Sequence, residues 1–120
     1  MSQETRRGDI LIVAAGGGYG GKPRPAVIIQ ADAYMKTDSL TVCLVSSRSV
    51  AAAPTLRIPV EPDGLNQLRA SSWIMVDKVV AIPRAKLGPR IGSFGPDVME
   101  RLDRSLLLFL GLSAAGVATS

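Results

Sequence analysis

Two prolines one residue apart, Pro23 and Pro25, do more than any other feature to limit how this chain can fold. They close the glycine-rich stretch Gly16-Gly17-Gly18-Tyr19-Gly20-Gly21-Lys22. Gly16 and Gly21-Lys22 satisfy most of G-x-x-x-x-G-K-[ST], while Gly16, Gly18 and Gly21 satisfy G-x-G-x-x-G. Both fingerprints need a helix directly after the loop, so that free amides at its N-terminus can receive phosphate. Proline has no amide hydrogen, and its ring clashes with the preceding turn, so two this close stop a helix beyond its first turn. A Walker loop also needs a hydroxyl after the lysine, and residue 23 has none. Next comes the apolar, largely β-branched run Ala26-Val27-Ile28-Ile29. The sequence predicts strand, glycine loop, strand, and the nucleotide-fold readings fail.

The same texture continues down the chain as short apolar segments separated by Gly, Pro, Asp and Ser. Strands are expected over Asp9–Ala15, Ala26–Gln30, Leu40–Ser47, Leu56–Val60 and Ser72–Ile82, with one helical turn in Ala31–Lys36. The run Trp73-Ile74-Met75-Val76 calls for burial on both faces. The end differs. Pro96 suits a first helical position, Asp97 and Glu100 suit the N-terminal dipole, and Gly111 suits a stop. Between them Val98, Met99, Leu102, Leu106, Phe109 and Leu110 recur at helical spacing. The expected fold is mainly β: a strongly bent antiparallel sheet or small barrel with a C-terminal helix. One domain is expected over residues 1–112, followed by a flexible tail at 113–120.

Composition narrows the chemistry. Fourteen basic against ten acidic side chains give a net charge of +4, a mild bias towards a polyanion. The chain has no histidine, which removes histidine triads, His-ligated zinc and a histidine-pair ribonuclease mechanism. Its single cysteine, Cys43, lies in an apolar strand-like run and reads as a reduced core thiol. Apolar runs such as Leu106–Leu110 are far too short to span a bilayer, and no secretory signal precedes the first strand. A cytoplasmic protein without a membrane partner is expected.

The glycine loop then has a third reading. Tyr19, Lys22 and Arg24 make a mobile cationic lip that can fold over a phosphate chain and stack a base. Arg24 stands between two prolines, so its backbone is constrained before any ligand arrives.

The order of motifs resembles the MazF/PemK toxins of bacterial toxin–antitoxin systems. The matching pieces are Arg7-Gly8-Asp9-Ile10-Leu11, Pro23-Arg24-Pro25-Ala26-Val27-Ile28-Ile29 and Leu40 to Ser47. They continue with Val76-Asp77-Lys78-Val79, Lys86-Leu87-Gly88 and Phe94 to Leu112. The resemblance implies a small SH3-like, CcdB-like barrel and a homodimer. It also implies an endoribonuclease that needs neither metal nor cofactor and cuts single-stranded RNA to 2′,3′-cyclic phosphate and 5′-OH ends. Arg24 falls on the family's catalytic arginine, Ser46 where threonine is usual, and Asp77 where some members carry a functional aspartate. Met75 and Leu44 depart from the family's arginine and proline. Tyr19, Lys22, Ser47 and Arg48 are the expected RNA contacts, and the expected partner is an antitoxin with a disordered acidic segment.

Plainer roles stand beside these. Arg24 could be an ordinary surface cation, and Ser46 with Ser47 could simply end a strand. Asp77 could be a strand-edge charge or a buried partner for Lys78 or an arginine. Arg48 and Arg57 could track phosphate or only solubilise loops, and Trp73 reads as core. Two other functions share the fold: a CcdB-like gyrase inhibitor, which would use the helix end near Phe109, and a barrel that binds RNA without cutting it.

Overall fold

The computed structural model describes residues 4–14, 22–48 and 56–112. Strand β1 (Asp9–Ala14) pairs antiparallel with β2 (Pro23–Ile28), placing Ile10 opposite Val27 and Val13 opposite Arg24. Ala26, Val27 and Ile28 then face Leu44, Cys43 and Val42 of β3 (Ser39–Ser46). A 3-10 turn at Asp32–Tyr34 joins these two strands, within the expected helical turn. Strands β4 (Arg57–Val60), β5 (Ser72–Pro83) and β6 (Leu87–Ser93) complete one sheet, in the order β4-β5-β3-β2-β1-β6. Helix α1 (Pro96–Phe109) closes the described chain.

Two boundaries differ from expectation with a clear cause. Strand β2 begins at Pro23, so the Pro-Arg-Pro segment belongs to the sheet and not to the loop. Proline sits well in an extended backbone, and β2 is short enough here to carry it where ladder donors are not needed. Strand β6 was not expected at all. Its sequence, Leu-Gly-Pro-Arg-Ile-Gly-Ser, reads as turn punctuation, but its register to β1 shifts twice, which accommodates the glycines and the proline.

The sheet bends where β5 passes β3. Cys43 faces Val79 and Val45 faces Ile74, so Leu44 alone stands against Met75, Val76, Asp77 and Lys78. Beyond this bulge the first part of β5 lies between β3 and β4, and it pairs with β4 from Arg57 opposite Met75 to Val60 opposite Ser72. The ladder ends at β4 and β6, so the described sheet is bent but not closed as a barrel. The loop after β4 bridges the two edges instead, with the Ser93 amide donating to the Leu65 carbonyl at 3.1 Å. A side chain at Gly92 would put its Cβ 2.5 Å from the carbonyl oxygens of both Leu65 and Asn66, so this approach requires glycine.

Strand alternation divides the interior in two. Ile10, Val27, Cys43, Val45, Ile74 and Val76 face the helix and pack with Phe94, Leu102 and Leu106. Leu11, Val13, Ala26, Ile28, Leu40, Val42, Leu44, Met75 and Ile82 fill the other side. A 14-residue helix is marginal in isolation, but each fully buried leucine contributes ~1.5–3 kcal/mol, so Leu102 and Leu106 dock it. Gly111, at φ +71°, ends it in the left-handed conformation that glycine tolerates best. No helix among the described residues is long and apolar enough to cross a membrane.

The Arg7-Gly8-Asp9 opening serves as a three-way tie. Arg7 donates through Nε to the Ile29 carbonyl at 2.7 Å and pairs through Nη2 with Asp103 of α1 at 2.6 Å. The Asp9 carboxylate is buried, accepts the Arg6 amide at 2.8 Å and pairs with Arg90 of β6 at 3.1 Å. The start of β1 is thereby fixed to β2, β6 and the helix together.

Candidate nucleic-acid interface

Arg24 is positioned by its strand. Pro23 and Pro25 fix the backbone on either side, and Val13 of β1 lies opposite. Ala26 and Ile28 point into the core side away from the helix, and alternation carries Arg24 to that same side. Continuing the β2–β3 register by two residues from the Ala26–Leu44 pair brings Arg24 alongside Ser46. Leu44 belongs to the same core side, so the guanidinium and the hydroxyl share a face on neighbouring strands. The paired register itself ends at Ala26 opposite Leu44, two residues short of Arg24 and Ser46.

Their electrostatic settings suit an anion. Arg24 is half-buried; its Nε is shielded from solvent and, among the described residues, has no hydrogen-bond partner, and no described carboxylate forms an ion pair with it. A buried donor left without an acceptor is costly, so an incoming phosphate oxygen gains both charge attraction and a released desolvation penalty. Ser46 is 9% exposed, and its Oγ accepts the Arg48 amide at 3.1 Å. That bond uses an oxygen lone pair and leaves the hydroxyl proton free to donate. Lys22 precedes β2, while Ser47 and Arg48 follow β3; all three are exposed at the same end of the sheet. Tyr19 lies outside the described residues.

Asp77 behaves differently. It stands in the β5 bulge, half-buried, and its Oδ1 accepts from Nη1 of Arg57. Arg57 was expected to lie against solvent or phosphate, but its side chain is only 8% exposed and is bound to this carboxylate. The cause is the β4–β5 register, which sets Arg57 opposite Met75, two residues from Asp77. The sequence allows Asp77 a buried arginine partner but does not name Arg57, because strand register is not written in any local motif.

Cys43 is fully buried, and burial pushes its thiol up to about 12 against a smaller downward pull from Arg7. It is no nucleophile at neutral pH. Trp73 is half-buried opposite Pro59, at the margin of the core. A crevice of about 540 Å³ adjoins the Arg24–Ser46 end through Pro25 and Ser47. A second groove, of about 870 Å³, is lined by residues such as Arg6, Tyr34 and Arg84 and lies beyond the other end of β2. Among the described residues, no group of three or more His, Cys, Asp or Glu could hold a metal ion.

The sequence profile of the PemK-like, MazF-like toxins of type II toxin–antitoxin systems matches residues 6–110. This chain belongs to that family. It is 46% identical over 108 residues to a probable endoribonuclease MazF from Mycolicibacterium smegmatis (strain ATCC 700084 / mc(2)155), covering 90% of this chain and 98% of that protein. Among solved structures, MazF from Deinococcus radiodurans superposes with a TM-score of 0.74 at 20% identity, over 92% of this chain and 100% of its own. A mycobacterial endoribonuclease in complex with its cognate antitoxin gives 0.72 at 19% identity, over 93% and 98%. The bent sheet with a terminal helix is therefore the MazF fold, and Arg24, Ser46 and Asp77 sit within the stretch that the family profile matches.

Proposed function

We propose that this MazF-family toxin is an endoribonuclease that braces a scissile RNA phosphate between Arg24 and Ser46. The observation that supports the reading is that the β2–β3 register, continued from Ala26 opposite Leu44, would set Arg24 and Ser46 on one face, with the guanidinium free of any described carboxylate.

The neighbouring 2′-OH attacks phosphorus, a P–O2′ bond forms, and the bond to O5′ breaks. This leaves a 2′,3′-cyclic phosphate and a 5′-OH. Three tasks arise: one proton leaves the 2′-OH, extra negative charge builds on the non-bridging oxygens, and one proton reaches O5′. Arg24 takes the second task, since its planar fork matches two oxygens and stays charged throughout. Ser46 donates to another oxygen. In a chain without histidine, the 2′-OH proton passes at the Arg24–phosphate contact onto a non-bridging oxygen, and that oxygen returns a proton to O5′ as the P–O5′ bond breaks. Asp77 is the counter-charge that orients Arg57, a positioning role. Lys22, Ser47 and Arg48 guide the flanking backbone, with Tyr19 stacking a base.

The working protein in this reading is a cytoplasmic homodimer. Its partner is an antitoxin whose acidic, disordered segment folds over the cationic end and occupies the surface that RNA needs. Incubating a long RNA with the protein and a metal chelator, then mapping 5′-OH ends, tests the activity. Discrete cuts at short sequences are expected; intact RNA would overturn it.

A further inference from the structure

We infer that the 540 Å³ crevice beside Pro25 and Ser47 is a nucleobase subsite, which reads one base next to the cut. This rests on the ribonuclease reading above. The crevice lies between the strand ends and the loop joining β4 to β5, and Pro25, Ser47, Gln67, Arg69, Ser72 and Ile91 line it. Its volume falls in the range of sites that hold small molecules.

Position is the first argument. Pro25 follows Arg24 within β2, where successive residues point to opposite faces, and Ser47 follows Ser46 just past the end of β3. A single strand crossing the ends of β2 and β3 lays a phosphate against Arg24 and Ser46 on one side. The adjoining base then enters the crevice beside Pro25 and Ser47.

Chemistry is the second. Pro25 and Ile91 give apolar walls to a flat ring. The Gln67 amide donates through Nε2 to the Gly64 carbonyl at 2.6 Å, which orients it and leaves Oε1 as an acceptor. Ser72 Oγ donates to the Ala70 carbonyl at 2.8 Å, so its oxygen lone pairs remain to accept. Arg69 is exposed and supplies the opposing donors. Unpaired bases in single strands are recognised by this combination of stacking and edge hydrogen bonds.

Preorganisation is the third. Gln67 has φ +56°, the only positive value at a non-glycine position among the described residues. The loop enforces it. Asp63 Oδ1 accepts the amides of Leu65 and Asn66 at 2.9 and 2.7 Å. Asn66, 3% exposed, accepts the amides of Asp63 and Leu68 and donates to the Glu61 carbonyl. Backbone held in a sparsely populated region by its surroundings marks a site where side-chain direction matters.

The test maps 5′-OH ends on a long RNA for the full-length wild type, Gln67→Gly and Ala70→Phe, with a thermal melt of each protein. Glycine accepts positive φ readily, so Gln67→Gly keeps the fold while deleting the amide. Expected is at least tenfold weaker base preference at one position beside the cut for Gln67→Gly. Ala70→Phe fills the crevice, and cleavage at preferred sites falls at least tenfold relative to sites that differ at that position. Wild-type sequence preference in both variants overturns the subsite, as does a uniform loss at every site in a variant that melts normally. RNA left intact by the wild type sinks the ribonuclease reading and the subsite with it. An Ala70→Phe protein that fails to fold leaves Gln67→Gly to decide.

Discussion

Arg24 and Arg57 face the same side of one sheet, and each has a buried Nε with no hydrogen-bond partner among the described residues, yet their charges are handled in opposite ways. Arg57 is almost wholly buried and its charge is met by Asp77 within the fold. Arg24 is half-buried, stiffened by two prolines, and meets no described carboxylate. Burial without a counter-charge is tolerable only where water or a ligand can supply one. The paired arginine is thus part of the architecture, and the other keeps its guanidinium free of the described carboxylates.

The sharpest way to break this contrast is at Arg24. Arg24→Ala is expected to lower RNA cleavage by about 10³-fold, the scale for losing a principal donor to transition-state charge, with little change in melting. Arg24→Lys should recover little, because an ammonium cannot span two phosphate oxygens. Single-turnover cleavage of a short labelled RNA measures both. Near-normal activity in Arg24→Lys would remove the fork from the mechanism.

At Arg57 the expected loss moves from activity to stability. Arg57→Met strands the Asp77 carboxylate and should cost about 3 kcal/mol, the lower end for breaking a buried pair, since Asp77 keeps some solvent. Removing both charges, Arg57→Met with Asp77→Leu, should restore most of that stability because no lone charge remains. Urea melts of the two singles and the double form the cycle. A double variant no better than the singles would show that the pair holds the bend by more than charge compensation.

Ser46 sharpens the contrast on the catalytic side. Ser46→Ala removes one donor to a charged oxygen, a loss of about 1.5–2 kcal/mol, or roughly tenfold to thirtyfold in cleavage. Ser46→Thr keeps the hydroxyl and should stay within a few-fold of the wild type. If both variants cleave equally well, Ser46 is an end-of-strand residue that only caps the Arg48 amide.

Much of this was legible before any coordinates. Pro23 and Pro25 excluded a helix, the spacing of Leu102, Leu106 and Phe109 announced one, and the Pro-Arg-Pro setting singled out Arg24. The parts that were not legible depend on register and on non-local contact. Strand β6 is written in turn residues, and its pairing with β1 is held by irregular register and by the Gly92–Leu65 approach. The Arg57–Asp77 pair needs β4 aligned on a bulged β5. The crevice at Gln67 is made from strand ends and a loop far apart in the chain. Periodicity reports which face a residue takes within its own element, and it carries no information about the neighbour across the ladder.

Cys43 extends the contrast to a titratable group that meets burial by staying neutral. Burial pushes its pKa from 9.0 to about 12, so the folded chain holds a proton that the unfolded chain releases. A folded pKa above the unfolded one stabilises below the unfolded value, and the contribution is lost as pH rises towards the folded value. The window is therefore about pH 9 to 12. Within it the slope approaches about 1.4 kcal/mol per pH unit, and from pH 9 to 10 the loss is about 1 kcal/mol. Every other group is common to both proteins, so the useful quantity is the wild type minus Cys43→Ala, which cancels them. Cys43→Ala is expected to be less stable at pH 7 because it leaves a small void, and this deficit should shrink by about 1 kcal/mol between pH 9 and 10. Urea melts at the two pH values read it. A deficit that stays constant would mean that the thiol ionises within the fold, and that this part of the sheet is wetter than its burial indicates.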